Sequence, residues 1–167
     1  MKLFSAHIED LRSLYLSDLK KALDMERKIT EALPDLIENA RDEELATAFS
    51  NHLEETKGHV ERVEALLVSH TGESETETCK VIDGLITEAS DTIKDVTDVY
   101  VRDISLVGAA QQVEHHEIAV YGTLRRWAEL LGLSSDATVL ESIEADEINA
   151  DGLLSSISER VNLIAAV

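Results

Sequence analysis

Residues 108–124, GAAQQVEHHEIAVYGTL, hold a dense run of groups able to do chemistry. On a helix, Ala110, Glu114, Glu117, Tyr121 and Leu124 follow the i, i+3 or i+4 step of a single face. Two glutamates therefore sit in the middle of a stripe whose other members favour burial. A buried carboxylate is costly unless it is paired, protonated or bound to a metal. Its partners have to come from other parts of the chain.

The elements that would position them can be read from the same periodicity. A first long helix is expected over residues 5–39, with Tyr15, Leu19, Ala22, Glu26, Ile29, Leu33 and Leu36 as its stripe. Pro34 should kink it or begin a new turn. After the reversal NARD, residues 43–70 form a second helix on which Leu45, Ala48, His52, Glu55, His59, Val63 and Leu66 share a face. The polar loop TGESETET leads to an amphipathic helix over residues 79–94, read as part of a crossover. Residues 98–131 make the third long helix, closed by Gly132. Ser134 or Ser135 can cap the last one, with the stripe Leu140, Ile143, Glu147, Ala150, Leu154, Ile157, Val161 and Ile164. Glu144 and Asp151 flank its central Glu147.

Four long helices, joined by short links within each pair and a long link between pairs, predict an all-α fold. It is a ferritin-like four-helix bundle with one long crossover containing an additional short helix. The expected domain is single and covers residues 1–167.

Every long helix places at least one carboxylate at mid-stripe: Glu26, Glu55, Glu114 with Glu117, and Glu147. So many acids gathered in an apolar bundle cannot all ionise unless cations neutralise them. Two divalent ions would do so. Carboxylates with one or two imidazoles suit iron or manganese better than zinc, calcium or copper. Sites of this kind commonly use Glu-x-x-His, yet Gly58 follows Glu55 at that spacing and Ala150 follows Glu147. A nitrogen ligand, if the site has one, would then be His52 or His59, and Asp151 or Glu144 could complete the second metal.

Other reactive residues read more plainly. Tyr121 is a core tyrosine that could hydrogen-bond a ligand carboxylate. His115 and His116 point about 100° apart, so at most one approaches the centre. His7 and His70, at segment ends, are expected to be exposed. Cys79 packs at the start of the short helix, and Trp127 is a core cap or an anchor for a dimer.

Charge excludes several functions. With 34 acidic against 15 basic residues, a net charge of −19 argues against nucleic acid and anionic membrane surfaces. One cysteine allows no internal disulfide and no thiolate cage. No apolar run is long enough to span a bilayer, and no signal peptide is expected, which points to a cytoplasmic protein.

His52-Leu53-Glu54-Glu55-Thr56 with Gly58, Val60-Glu61-Arg62, Cys79, Asp83-Gly84-Leu85-Ile86, Val101-Arg102-Asp103, and Gln112 through Ala119 with Tyr121-Gly122-Thr123 together resemble the YciF family of bacterial stress-response, ferritin-like proteins. The resemblance spans nearly the whole chain. It implies a rubrerythrin-like bundle, a dimetal site and a homodimer, without a settled reaction. By position, Glu26, Glu55, Glu114, Glu117 and Glu147 match the acids of that site, and His52 is favoured as the nitrogen ligand because it belongs to the HLEET run. Glu55 and Glu147 are then expected to bridge, Glu26 and Glu117 to bind terminally, and Glu114 and His52 to fill the remaining positions. The leading expectation is a protein with two iron or manganese ions reacting with oxygen or peroxide. Iron sequestration without turnover and a purely structural bundle are the alternatives.

Overall fold

The computed structural model describes residues 8–166, and among them the chain forms five helices and no strand. They are α1 (Leu11–Asn39), α2 (Glu43–Thr71), α3 (Lys80–Asp95), α4 (Val99–Leu130) and α5 (Ser134–Ala165). None is long and apolar enough to cross a membrane.

The expected start at Ser5 lies outside the described residues, as does His7. Residues 8–10 are not helical, and α1 begins behind a capping box in which Asp10 and Ser13 satisfy each other's backbone groups. The helix continues through Pro34, which leaves the Thr30 carbonyl without its usual N–H donor. Gly132 closes α4 with φ 72°, a conformation an L side chain rarely adopts, and the Leu133 N–H returns to the Ala128 carbonyl. Neither Ser134 nor Ser135 caps α5. Leu133 holds the cap position without a side-chain bond, and Ser134 is already helical.

α1 pairs with α2 and α4 with α5, while α2 meets α5 and α1 meets α4. α3 packs on α1 and α4. Polar contacts pin both ends of this arrangement. At one end the Tyr15 hydroxyl donates to Asp136 at 2.8 Å, and His70 Nε2 lies 2.6 Å from the same carboxylate. His70 is thus half-buried and engaged, because a carboxylate 66 positions away in sequence faces it. At the other end Asp103 accepts from the Arg41 and Asp42 backbone N–H groups, and Arg160 binds both oxygens of Asp42.

Asp42 also caps α2 by accepting from the Glu44 and Leu45 N–H groups. The Arg160 guanidinium holds its carboxyl down at about 2. Asp42→Ala is expected to lower stability by about 1–2 kcal/mol, read as a shift in the chemical-denaturation midpoint. A depressed carboxyl contributes stability above its unfolded value of 3.8 and loses it as pH falls through about 2. The deficit of the variant should therefore shrink across that window, and an undiminished deficit there would show that the cap charge is not its source.

Candidate metal centre

The centre lies where the two helix pairs meet. α1 supplies Glu26, α2 supplies His52 and His59, α4 supplies Glu114 and Glu117, and α5 supplies Glu147, all buried. Their donor atoms fall into two groups, each within 4.8 Å of one another: His52, Glu114, Glu117 and Glu147 in one, Glu26, His59 and Glu147 in the other. Glu147 belongs to both. Its carboxylate is thus the natural shared element of a two-centre arrangement.

Distances define the interior more closely. His59 Nδ1 lies 2.8 Å from Glu147 Oε1 and 3.7 Å from Glu26 Oε1. His52 Nε2 lies 3.3 Å from Glu114 Oε1. None of these approaches has hydrogen-bond alignment, and both nitrogens are without a partner. Among the described residues, every buried side-chain nitrogen or oxygen lacking a hydrogen bond belongs to these six residues. Each such atom costs about 1–3 kcal/mol when left unsatisfied. Over the cluster, the cost is on the order of a whole domain's stability of about 5–15 kcal/mol. A cation is the ligand that would satisfy carboxylate oxygens and imidazole nitrogens together, and the oxygen-rich, nitrogen-containing donor set fits iron or manganese.

Electrostatics lead to the same requirement. Burial, reinforced by the Glu147 charge, pushes the Glu114 carboxyl up to about 10. Burial takes Glu26 up to about 8 despite the opposing pull of His59. Glu117 rises well above the ordinary range through burial and the neighbouring glutamates. Burial draws the His52 imidazole down. At His59 burial acts the same way, but the carboxylates of Glu147 and Glu26 outweigh it and the net movement is upward. Without a cation the pocket therefore holds protons that a metal would displace.

Surrounding residues orient this set. Tyr121, fully buried, donates its hydroxyl to Glu26 Oε1. His59 Nε2 faces Asp146 Oδ2 at 3.2 Å, and Arg62 donates to the same oxygen. The imidazole is thus held between two neighbours on α5, Glu147 and Asp146. Tyr121→Phe is expected to weaken binding of the ion nearest Glu26 by about 10–100-fold, the usual effect of removing a group that orients a ligand. A competitive titration of Mn(II) against a fluorescent chelator reads this, and an unchanged affinity would show that Glu26 needs no such support.

The structure brings together Glu26, His52, Glu114, Glu117 and Glu147 of the expected ligands, and adds His59 beside rather than instead of His52. Three others stand apart. Glu55 is not on the buried stripe: its side chain is 56% exposed and its Oε2 is 3.9 Å from His52 Nδ1. Thr56 takes the inward place, fully buried and donating to the His52 carbonyl. Glu144 is held by Arg125 Nε at 2.7 Å. It crosses Gly122 so closely that a Cβ there would meet its Oε1 at 2.7 Å. Asp151 accepts from Gln111 and lies 3.5 Å from His115, at the edge of the cluster. Of the adjacent histidines, His115 is exposed, while half-buried His116 faces the buried Cys79, with Nε2 3.6 Å from Sγ. Trp127 is partly buried against the core.

Sequence reasoning missed Asp146. Its signal was its position next to Glu147, which lets one imidazole from α2 contact both.

The match to a family covers this whole assembly. A family model described as a domain of unknown function, DUF892, matches residues 10–166. The chain is 38% identical over 152 residues to protein YciF of Escherichia coli strain K12, covering 90% of each. The chain belongs to the YciF family. Solved structures within reach include that of the E. coli stress protein YciF, with a TM-score of 0.88 at 34% identity. Another is YcfI of Rhodopseudomonas palustris, described as a candidate structural protein, with a TM-score of 0.88 at 37% identity. Both alignments cover 92% of this chain and 98% of the other. The YciF-like motifs HLEET and VEHHEIAVYGT supply five of the six buried residues of the cluster's α2 and α4 neighbourhood, namely His52, Thr56, Glu114, Glu117 and Tyr121, with His59 just beyond.

Proposed function

We propose that this chain is a dimetal carboxylate protein of the bacterial stress response, holding two iron or manganese ions and reacting with oxygen or peroxide. The observation that carries this reading is the confinement, among the described residues, of partnerless buried polar atoms to one cluster with a shared carboxylate, Glu147. Glu26 and His59 would hold one ion, His52, Glu114 and Glu117 the other, and Glu147 both. Such ions, when bound, supply one- or two-electron exchange with oxygen or peroxide.

The chain's own residues would set the conditions for that exchange. Asp146, bonded to His59 Nε2, would keep the Nδ1 lone pair aimed at the centre. The Tyr121 hydroxyl would fix the carboxylate plane of Glu26. Burial of all six donors would keep the field of the carboxylates strong.

The finer architecture belongs to the same proposal. A ferritin-like crossover is favoured by the contacts that tie the start of α1 to the start of α5 and the starts of α2 and α4 to the opposite end, with α3 alongside between them. A single domain over 1–167, a cytoplasmic setting and a homodimer complete the reading.

A second reading, metal-free and structural, is favoured by the description of the R. palustris relative. Elemental analysis after anaerobic loading with Fe(II), and separately Mn(II), decides between them. About two ions per chain, followed by consumption of oxygen or peroxide on exposure, is the expected result. Two ions without consumption would leave sequestration, and no bound metal would leave the structural bundle.

A further inference from the structure

A cavity of about 620 Å³ opens between the helices and ends at His52 and Glu114. Its size arises from the sequence: Ala32, Ala48, Ala89, Ala109, Ala110 and Ala150 line it, at least one from each of the five helices. Where a close-packed core would interdigitate larger side chains, these methyl groups leave room. Leu33, Leu36, Phe49, Ile86, Val113 and Leu154 are among the larger side chains of its apolar wall. Both the volume and the lining are those of a small-molecule site, which couples an apolar cleft to few polar groups.

The polar groups are at its two ends. Inside, His52 and Glu114 are buried at 7% and 3% exposure, with both His52 nitrogens and Glu114 Oε2 lacking hydrogen-bond partners. Around the rim, Glu31, Asp35, Glu55 and Asp83 are exposed and line the opening. Lys28, the cation that accompanies them, is already bound to Asp24 and Asp83 at 2.7 and 2.5 Å. An anionic ligand would meet this acidic rim and a chain of net charge −19. A neutral one would not.

We propose that this cavity binds a neutral aliphatic molecule of the medium-chain alcohol class, its chain among the alanines and its single oxygen toward His52 and Glu114. The inference deepens the dimetal reading by naming the class of molecule brought beside it, but binding itself does not depend on bound metal.

The test uses the full-length protein, metal-free and Mn(II)-loaded, with N-phenyl-1-naphthylamine as a fluorescent probe and 1-dodecanol as competitor. Expected is saturable probe binding in both forms, with dodecanol displacing it at a concentration about tenfold below that needed of dodecanoate. Ala110→Phe and Ala89→Phe, filling the cavity from α4 and α3, should each weaken probe binding at least about tenfold while helical circular dichroism is retained. Two variants are used so that a fold lost in one leaves the other decisive. Wild-type probe affinity in a folded filling variant, absence of saturable binding, or stronger competition by dodecanoate would each overturn the proposal. So would a probe affinity that falls as chain concentration rises in step with dimerisation in sedimentation, which would assign the cavity to a second copy. Failure of metal loading with intact probe binding would sink the dimetal reading alone.

Discussion

Glu147→Ala is expected to empty both halves of the centre, taking bound iron or manganese from about two ions per chain to near zero at metal concentrations that saturate the wild type. The reason is geometric: Glu147 is the one residue whose donor atoms belong to both groups. Loss of an orienting neighbour already costs about 10–100-fold in metal affinity, so loss of a shared ligand should exceed about 100-fold. The change also removes a buried charge that raises Glu26, Glu114 and Glu117. The metal-free variant should for that reason fold at least as well as the wild type. Glu55→Ala provides the contrast. With its carboxylate exposed and outside both groups, it should retain most of the metal. Elemental analysis and calorimetric titration read both variants. Equal metal content in Glu147→Ala and the wild type would remove the shared-ligand role, and metal loss from Glu55→Ala would return Glu55 to the site.

The second large effect is an inverted pH dependence of stability between metal-free and metal-loaded protein. In the metal-free chain Glu26 and Glu114 rise from 4.5 to about 8 and about 10 on folding, and Glu117 moves in the same direction. A carboxyl raised by folding contributes stability that is complete below its unfolded value and is lost as pH climbs through its folded value. Between pH 4.5 and about 8 the coupled cluster as a whole therefore loses stability as pH rises. The raised His59 acts in the same sense, and the lowered His52 opposes it. Metal reverses the sign, because the ions require the ionised carboxylates and compete with protons for them. Melting temperatures across pH 5–8 should therefore fall for the metal-free protein and hold or rise in excess Mn(II). Surface repulsion from the net charge of −19 affects both forms, so the difference between the two curves isolates the centre. Parallel curves would count against a buried, proton-holding cluster.

These effects rest on residues whose legibility differed. The stripes of the first, third and fourth long helices carried Glu26, Glu114, Glu117 and Glu147 inward as their spacing requires, because a buried face repeats every three or four residues. On α2 the same rule was ambiguous. From His52 both the third and fourth residues lie near the face, and only packing decides that Thr56 turns in and Glu55 out. The two histidines read as alternatives turned out to lie seven residues apart on one face, serving different groups. What no local pattern carries is long-range pairing. Arg125 claims Glu144 across a glycine, Gln111 claims Asp151, and Asp136 draws His70 in from an end position. Each depends on where another helix sits, information that periodicity within a single helix does not contain.

The centre's location has a mechanical consequence. Glu26, His52 and His59 come from one helical hairpin, and Glu114, Glu117 and Glu147 from the other. Bound ions would act as a clasp across the seam. Without them, four acids repel or hold protons at the line where the hairpins meet, so that line is where the molecule should open first, like a book along its spine. Hydrogen exchange would register this as faster exchange in the mid-helix amides along the seam on metal removal, with the outer faces of both hairpins little changed. Uniform exchange in both states would argue against it. A protein built this way would couple the integrity of its fold to the supply of the metal it uses.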